Sequence, residues 1–162
     1  MDFQETKARA ARGDAQAQWD LAGFYATGED VAQDYTEAVR WFRKLAEQGY
    51  PAAQAMLGKS YARGEGVAKD RVEAVKWLRK SAEQGYAVAH YDLGLCYNNG
   101  KGVPKDYAEA YAWYNLSSMT NKDAVTNRDD LEKRMSPQQV ADAQKRTTEL
   151  RAQIEARLKS DE

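Results

Sequence analysis

Apolar residues recur in this chain at helical spacing within short blocks, and the blocks themselves recur every 36 residues. In the middle copy Ala53, Leu57 and Tyr61 make one stripe of a helix, and Ala74, Trp77 and Leu78 make the buried face of a second. A 36-residue slide superimposes Gly13, Gly49 and Gly85, then Leu21, Leu57 and Leu93, then Tyr25, Tyr61 and Tyr97. Asp34, Asp70 and Asp106 also coincide, as do Trp41, Trp77 and Trp113. A fixed period of this size marks a stacked repeat, in which each unit buries its apolar face against the next. No stretch alternates apolar and polar residues as a strand does, so the chain reads as all-α, a series of helical hairpins.

The polar punctuation agrees with that pattern. Pro51 suits the first turn of a helix, where its missing N–H costs nothing. Gly58, like Ala22 and Gly94 in the other copies, is small enough to admit a neighbouring helix closely. Asp70 with Glu73 reads as an Asp form of the capping box, repeated as Asp34 with Glu37 and Asp106 with Glu109. Asp30 stands where the later copies have Gly66 and Gly102, so the first turn is expected to differ in shape. Asn121 replaces the next glycine of the series and is expected in the left-handed conformation that Asn also tolerates.

These signals divide a single domain into residues 1–12 as an N-terminal half-repeat, repeats at 13–48, 49–84 and 85–120, and a C-terminal cap at 121–162. The cap comprises a helix near Asp123–Arg134, then a long helix opened by Ser136, Pro137 and Gln139. Val140, Ala143, Thr147, Leu150, Ile154 and Leu158 line one side of that last helix. Eight helices are expected, with the three repeat tryptophans in equivalent settings at the seam between each pair and the next.

The strings AAQAMLGKSYARGEGVAKD, EAVKW and AEQG, with their counterparts from Gly13 to about Ser118, resemble the Sel-one-like repeat, a relative of the tetratricopeptide repeat. The resemblance implies a right-handed superhelix of helix pairs, a concave surface that binds other proteins, and an adaptor role, often in exported or membrane-associated bacterial proteins. On that habit a periplasmic or secreted location is expected ahead of the cytoplasm, and the abrupt start suits a mature chain whose export signal has been removed. A cysteine-stapled branch of the family is not matched, because Cys96 is alone.

Composition removes several function classes. The 162 residues are 30% charged yet balance to a net charge of -1, which gives no electrostatic case for nucleic acid. No apolar run reaches the roughly 18 residues of a membrane span. Gly58-Lys59-Ser60 imitates the end of a phosphate loop, but Ala53 occupies the place of the required earlier glycine. His90 is the one histidine, so no metal site, cofactor or catalytic constellation is expected.

What varies between copies is one face of each first helix. It reads Gln16, Asp20, Gly23 and Thr27, then Ala52, Met56, Lys59 and Arg63, then Val88, Asp92, Leu95 and Asn99. A constant framework under a changing face is the pattern of a scaffold whose groove is tuned to a partner. The candidate groove residues are Asp20, Met56, Lys59, Arg63, Asp92, Leu95 and Asn99, with His90 and Tyr91 at the rim. The function expected is a non-catalytic adaptor holding a protein or peptide, the chain itself a monomer or weak dimer. An immunity protein that neutralises a bacterial toxin is the alternative, and an enzyme acting in the groove is the remote one.

Overall fold

The computed structural model describes residues 2–160. Its helices are α1 (Phe3–Ala11), α2 (Ala15–Thr27), α3 (Tyr35–Glu47), α4 (Pro51–Arg63), α5 (Arg71–Ala82), α6 (Ala87–Asn99), α7 (Tyr107–Ser117), α8 (Lys122–Glu132) and α9 (Pro137–Ser160). No strand occurs among the described residues. The count among them is nine rather than eight, although each helix falls on a segment read from the sequence: one in the half-repeat, six in the repeats and two in the C-terminal cap. The chain divides between Trp77 and Leu78 into two compact units.

In the first unit α4 opens at Pro51 without a side-chain cap, and the other helix starts are set by side-chain capping. Asp2 accepts from the Glu5 N–H, Asp14 from that of Ala17, and Asp34 from those of Thr36 and Glu37. Asp70 likewise accepts from Val72 and Glu73, each cap contributing about 1 kcal/mol. The reciprocal half of the expected capping box does not form. The Asp34 N–H donates to the Tyr25 carbonyl (2.9 Å) and the Asp70 N–H to that of Tyr61 (2.9 Å), closing each hairpin loop on its first helix. Glu37 and Glu73 are thereby left to pair with Arg40 and Lys76 on the next turn. Asp30 corrects the expectation for the first loop: its φ of 58° matches the 72° of Gly66, so the turn is retained and a non-glycine residue carries the strain.

The core of this unit is periodic. Ala10, Ala17 and Leu21 form one cluster, against which Phe3, Tyr25 and Trp41 pack. Ala46, Ala53 and Leu57, each 36 residues later, form the next together with Val39, Leu45 and Trp77. Trp41 and Trp77 therefore occupy corresponding places, each packed with its own first helix and the helix before it. Their exposure differs: Trp77 is 8% exposed, whereas Trp41 is half-buried and lies beside the cations of Arg40 and Lys44.

In the second unit α6 packs on α7, and α7 in turn on both α8 and α9. A Cβ placed on Gly94 would lie 2.4 Å from the Tyr114 ring, so only glycine permits this α6–α7 approach. Trp113 is fully buried; its ring lies 5.5 Å from that of His90, and its Nε1–H donates to Glu109 (3.1 Å). The three repeat tryptophans thus share a position in the pattern but differ in exposure. Asn121 is also corrected: its φ is -133°, and it is the N-cap of α8, accepting from Asp123 and Ala124. Ser136 and Gln139 do make the reciprocal box at the start of α9. Ala143, Thr147, Leu150 and Ile154 of α9 are buried, Val140 is half-buried, and Leu158 is exposed.

Candidate functional site

One hydrogen bond recurs beneath the variable faces and fixes how each first helix sits. Gln18 Nε2 donates to the Ala10 carbonyl (3.2 Å), Gln54 Nε2 to that of Ala46 (3.1 Å), and His90 Nε2 to that of Ala82 (3.0 Å). His90 thus does the work of a glutamine. It is only 6% exposed, which removes it from the rim of any surface site. Burial holds its imidazole below the usual histidine range, with the Ala82 bond acting weakly the other way. Its Nδ1 is buried without a hydrogen-bond partner, so a second proton there would be an unpaired buried charge.

The consequence is a pH dependence. The depressed pKa leaves the unfolded chain binding more protons than the folded one as pH falls through about 6.5, so this residue's contribution to stability is lost on acidification. His90→Gln, which restores the residue of the other two copies, is expected to flatten the stability profile between pH 7 and 5. Urea midpoints of the two proteins measured across that range check it; parallel profiles would refute it.

On the first unit, Asp20 lies half-buried on α2 and accepts from Gln16 Nε2 (2.8 Å). Met56 is half-buried on α4 and packs against the cluster of Ala22, Ala38 and Phe42. Lys59 is half-buried one turn on, and Arg63 is exposed, 3.7 Å from Glu65. This puts an apolar side chain beside two cations on one stretch of α4.

On the second unit, Asp92 and Leu95 are half-buried on α6, and exposed Asn99 bonds back to the Leu95 carbonyl (2.9 Å). The Tyr91 hydroxyl accepts from Asn127 Nδ2 of α8 (3.3 Å), and its ring lies 6.0 Å from that of Tyr114. Burial pushes the Tyr114 hydroxyl up to about 12, opposed by the amides of Asn98 and Asn127. The Cys96 thiol is likewise pushed up to about 11 by burial, then by the Asp92 charge, which makes it a poor nucleophile. Asn98, Tyr114 and Asn127 are not among the residues expected here. Asn127 escapes sequence reasoning because α8 lacks the apolar pattern of a first helix.

Among the described residues no group of three or more His, Cys, Asp or Glu side chains converges as a metal site. No helix among them is long and apolar enough to cross a membrane.

Comparison with known proteins places this geometry. The chain matches the Sel1 repeat at residues 15–50, 51–86 and 87–119. It is similar to the crystal structure of a protective antigen of uropathogenic Escherichia coli strains displaying an SLR fold, with 29% identity and a TM-score of 0.74. That match covers 98% of this chain but 43% of the antigen, so the chain spans less than half of its length. A Sel1 repeat protein from Oxalobacter formigenes is similar at 40% identity and a TM-score of 0.68, covering 78% of this chain and 96% of that one. No curated protein sequence matches the chain. Three repeat matches, the all-helical hairpins and these two structures agree on the all-α repeat-solenoid class, and the chain belongs to the Sel1 repeat family.

Proposed function

We propose that this protein is a non-catalytic adaptor that holds a protein or peptide partner on the variable faces of its first helices. Sel1 repeat proteins are commonly protein-interaction scaffolds, which supports the class of function. The observation that carries the reading is the contrast within each helix. The buried side repeats one hydrogen bond at Gln18, Gln54 and His90, while the outer side changes from copy to copy. Stacking requires the first and leaves the second open to be shaped by a partner.

Met56 with Lys59 and Arg63 on α4, and Leu95 with Asp92 on α6, are the side chains placed to contribute most. Each set combines an apolar contact with charges that orient a peptide, and binding energy at such faces concentrates in a few residues. Asp20, Tyr91 and Asn99 stand beside them as weaker contributors.

The double substitution Lys59→Glu with Arg63→Glu is expected to weaken a partner, isolated by affinity capture and then purified, by roughly 1–3 kcal/mol. Helicity and melting should not change. The control reverses Arg40 and Lys76, which are exposed on second helices. Calorimetric titration of both variants decides: loss of binding in the control and none in the α4 pair would move the functional surface to the second helices.

A further inference from the structure

A cavity of about 290 Å³ lies among α5, α7 and α9, entirely within the second unit. None of its lining residues belongs to a first helix, so its chemistry is independent of the adaptor reading. Its floor is apolar: Trp113 from α7 and Leu150 and Ile154 from α9, all buried. Its walls bring three guanidinium groups together, Arg79 from α5 and Arg146 and Arg157 from α9, against the single carboxylate of Glu83.

The three cations are not equivalent. Arg157 pairs with Glu83 (2.9 Å), and Arg146 with Glu109, whose other oxygen accepts from the Trp113 indole. Arg79 is held by the Tyr97 hydroxyl and lies 5.8 Å from that ring. Its observed partner is therefore neutral, and its charge is not balanced by the contact that positions it. A half-buried guanidinium above an apolar floor favours a planar anion that it can bind through two parallel hydrogen bonds. The apolar floor favours a hydrocarbon body on that anion, and excludes water from the ion pair so that the attraction is less screened.

We propose that this cavity binds an amphipathic carboxylate: one carboxylate, placed at Arg79, on an apolar body about the size of one amino-acid residue. The last residue of a peptide and a free short-chain acid both carry that chemistry. A compact dianion such as phosphate does not, since the floor offers it no donors and two of the three guanidinium groups already hold carboxylates. α9 supplies one wall, so occupancy also clamps α9 to the repeats.

The test is an NMR titration of the isotopically labelled full chain. The probes are N-acetyl-leucyl-leucine as the free acid, the same dipeptide as its C-terminal amide, and hexanoate. The free acid is expected to shift the Trp113 indole N–H and the Gln153 signals saturably, with the amide binding at least about tenfold more weakly. Arg79→Gln should abolish the difference between acid and amide. Gln153→Trp, at an exposed position on the cavity mouth, should block the shifts without touching the Arg79–Tyr97 contact, and decides the matter if the first variant folds poorly. Tighter binding of the dipeptide acid than of hexanoate assigns the site to a chain end, and the reverse assigns it to a free acid. Equal binding of acid and amide, shifts that survive in Gln153→Trp, or no saturable shift at about 10 mM ligand would each overturn the proposal.

Discussion

Gly66→Ala is expected to destabilise the first unit by about 3 kcal/mol, one of the two largest losses from a small change in this chain. Two costs combine. The residue has a φ of 72°, where any Cβ costs roughly 1–2 kcal/mol. The new Cβ would also lie 2.1 Å from the Tyr35 carbonyl oxygen and 2.4 Å from its carbon. That neighbour is backbone at the start of α3, so relief requires moving a capped helix, and overpacking of this kind costs about 1–3 kcal/mol. Gly13→Ala separates the two costs. Gly13 has a φ of 95° but nothing within 4 Å of its added Cβ, so it should lose only about 1 kcal/mol. Asp30 already carries a Cβ at the matching turn, so no backbone fills that place, and Asp30→Gly should gain about 1 kcal/mol. Urea denaturation of the three variants measures this; equal losses at Gly13 and Gly66 would show that close approach contributes nothing.

Those three positions also show what the sequence carries and what it does not. The 36-residue period locates the three repeat hairpins, and the recurring Asp residues locate their second-helix starts, because both signals are local. The matching left-handed turn at Asp30 is obscured when glycine is taken as necessary for a conformation that glycine only makes easier. Asn121 misleads for a related reason: the same side chain favours a left-handed position and an N-cap, and only the arrival of α8 on α7 selects the second.

His90 is more instructive. Its alignment with Gln18 and Gln54 is visible in the sequence, but the meaning of that alignment is not. That these side chains donate to a carbonyl eight residues back is set by how the helices pack, which the alignment alone does not state. The cavity beside Arg79 is hidden for the same reason, since Trp113 and Ile154 are far apart in the chain and α9 lies outside the repeat register. The candidate partner residues on α4 and α6 are legible only as variation, which marks a face without naming its ligand.

Removal of residues 136–162 is expected to lower the melting temperature by roughly 6–20 °C or to cause aggregation, because α9 is a wall of the second unit's core. Leu150 and Ile154 are buried and would leave with it, each accounting for about 1.5–3 kcal/mol of apolar burial. Ile154 and Leu158 also lie 3.4 and 3.6 Å from where a Cβ on Gly85 would sit, so the truncation uncovers the turn after α5 as well. Polar contacts go too: Glu109 loses Arg146 while still holding the Trp113 indole, and Glu83 loses Arg157. Against this stands the entropy released by freeing the segment, which offsets part of the apolar term. A net loss of about 3–5 kcal/mol at roughly 2–4 °C per kcal/mol gives the expected shift. The end unit of a repeat array depends on its neighbour in this way, since its outer face has no other cover. Leu150→Ala in the full chain provides the graded version and should cost about 2–4 kcal/mol. Calorimetry with light scattering reads both. A truncated chain that stays monomeric and melts with the full-length protein would show that α9 rests on the repeats without holding them, and Leu150→Ala would then be silent too.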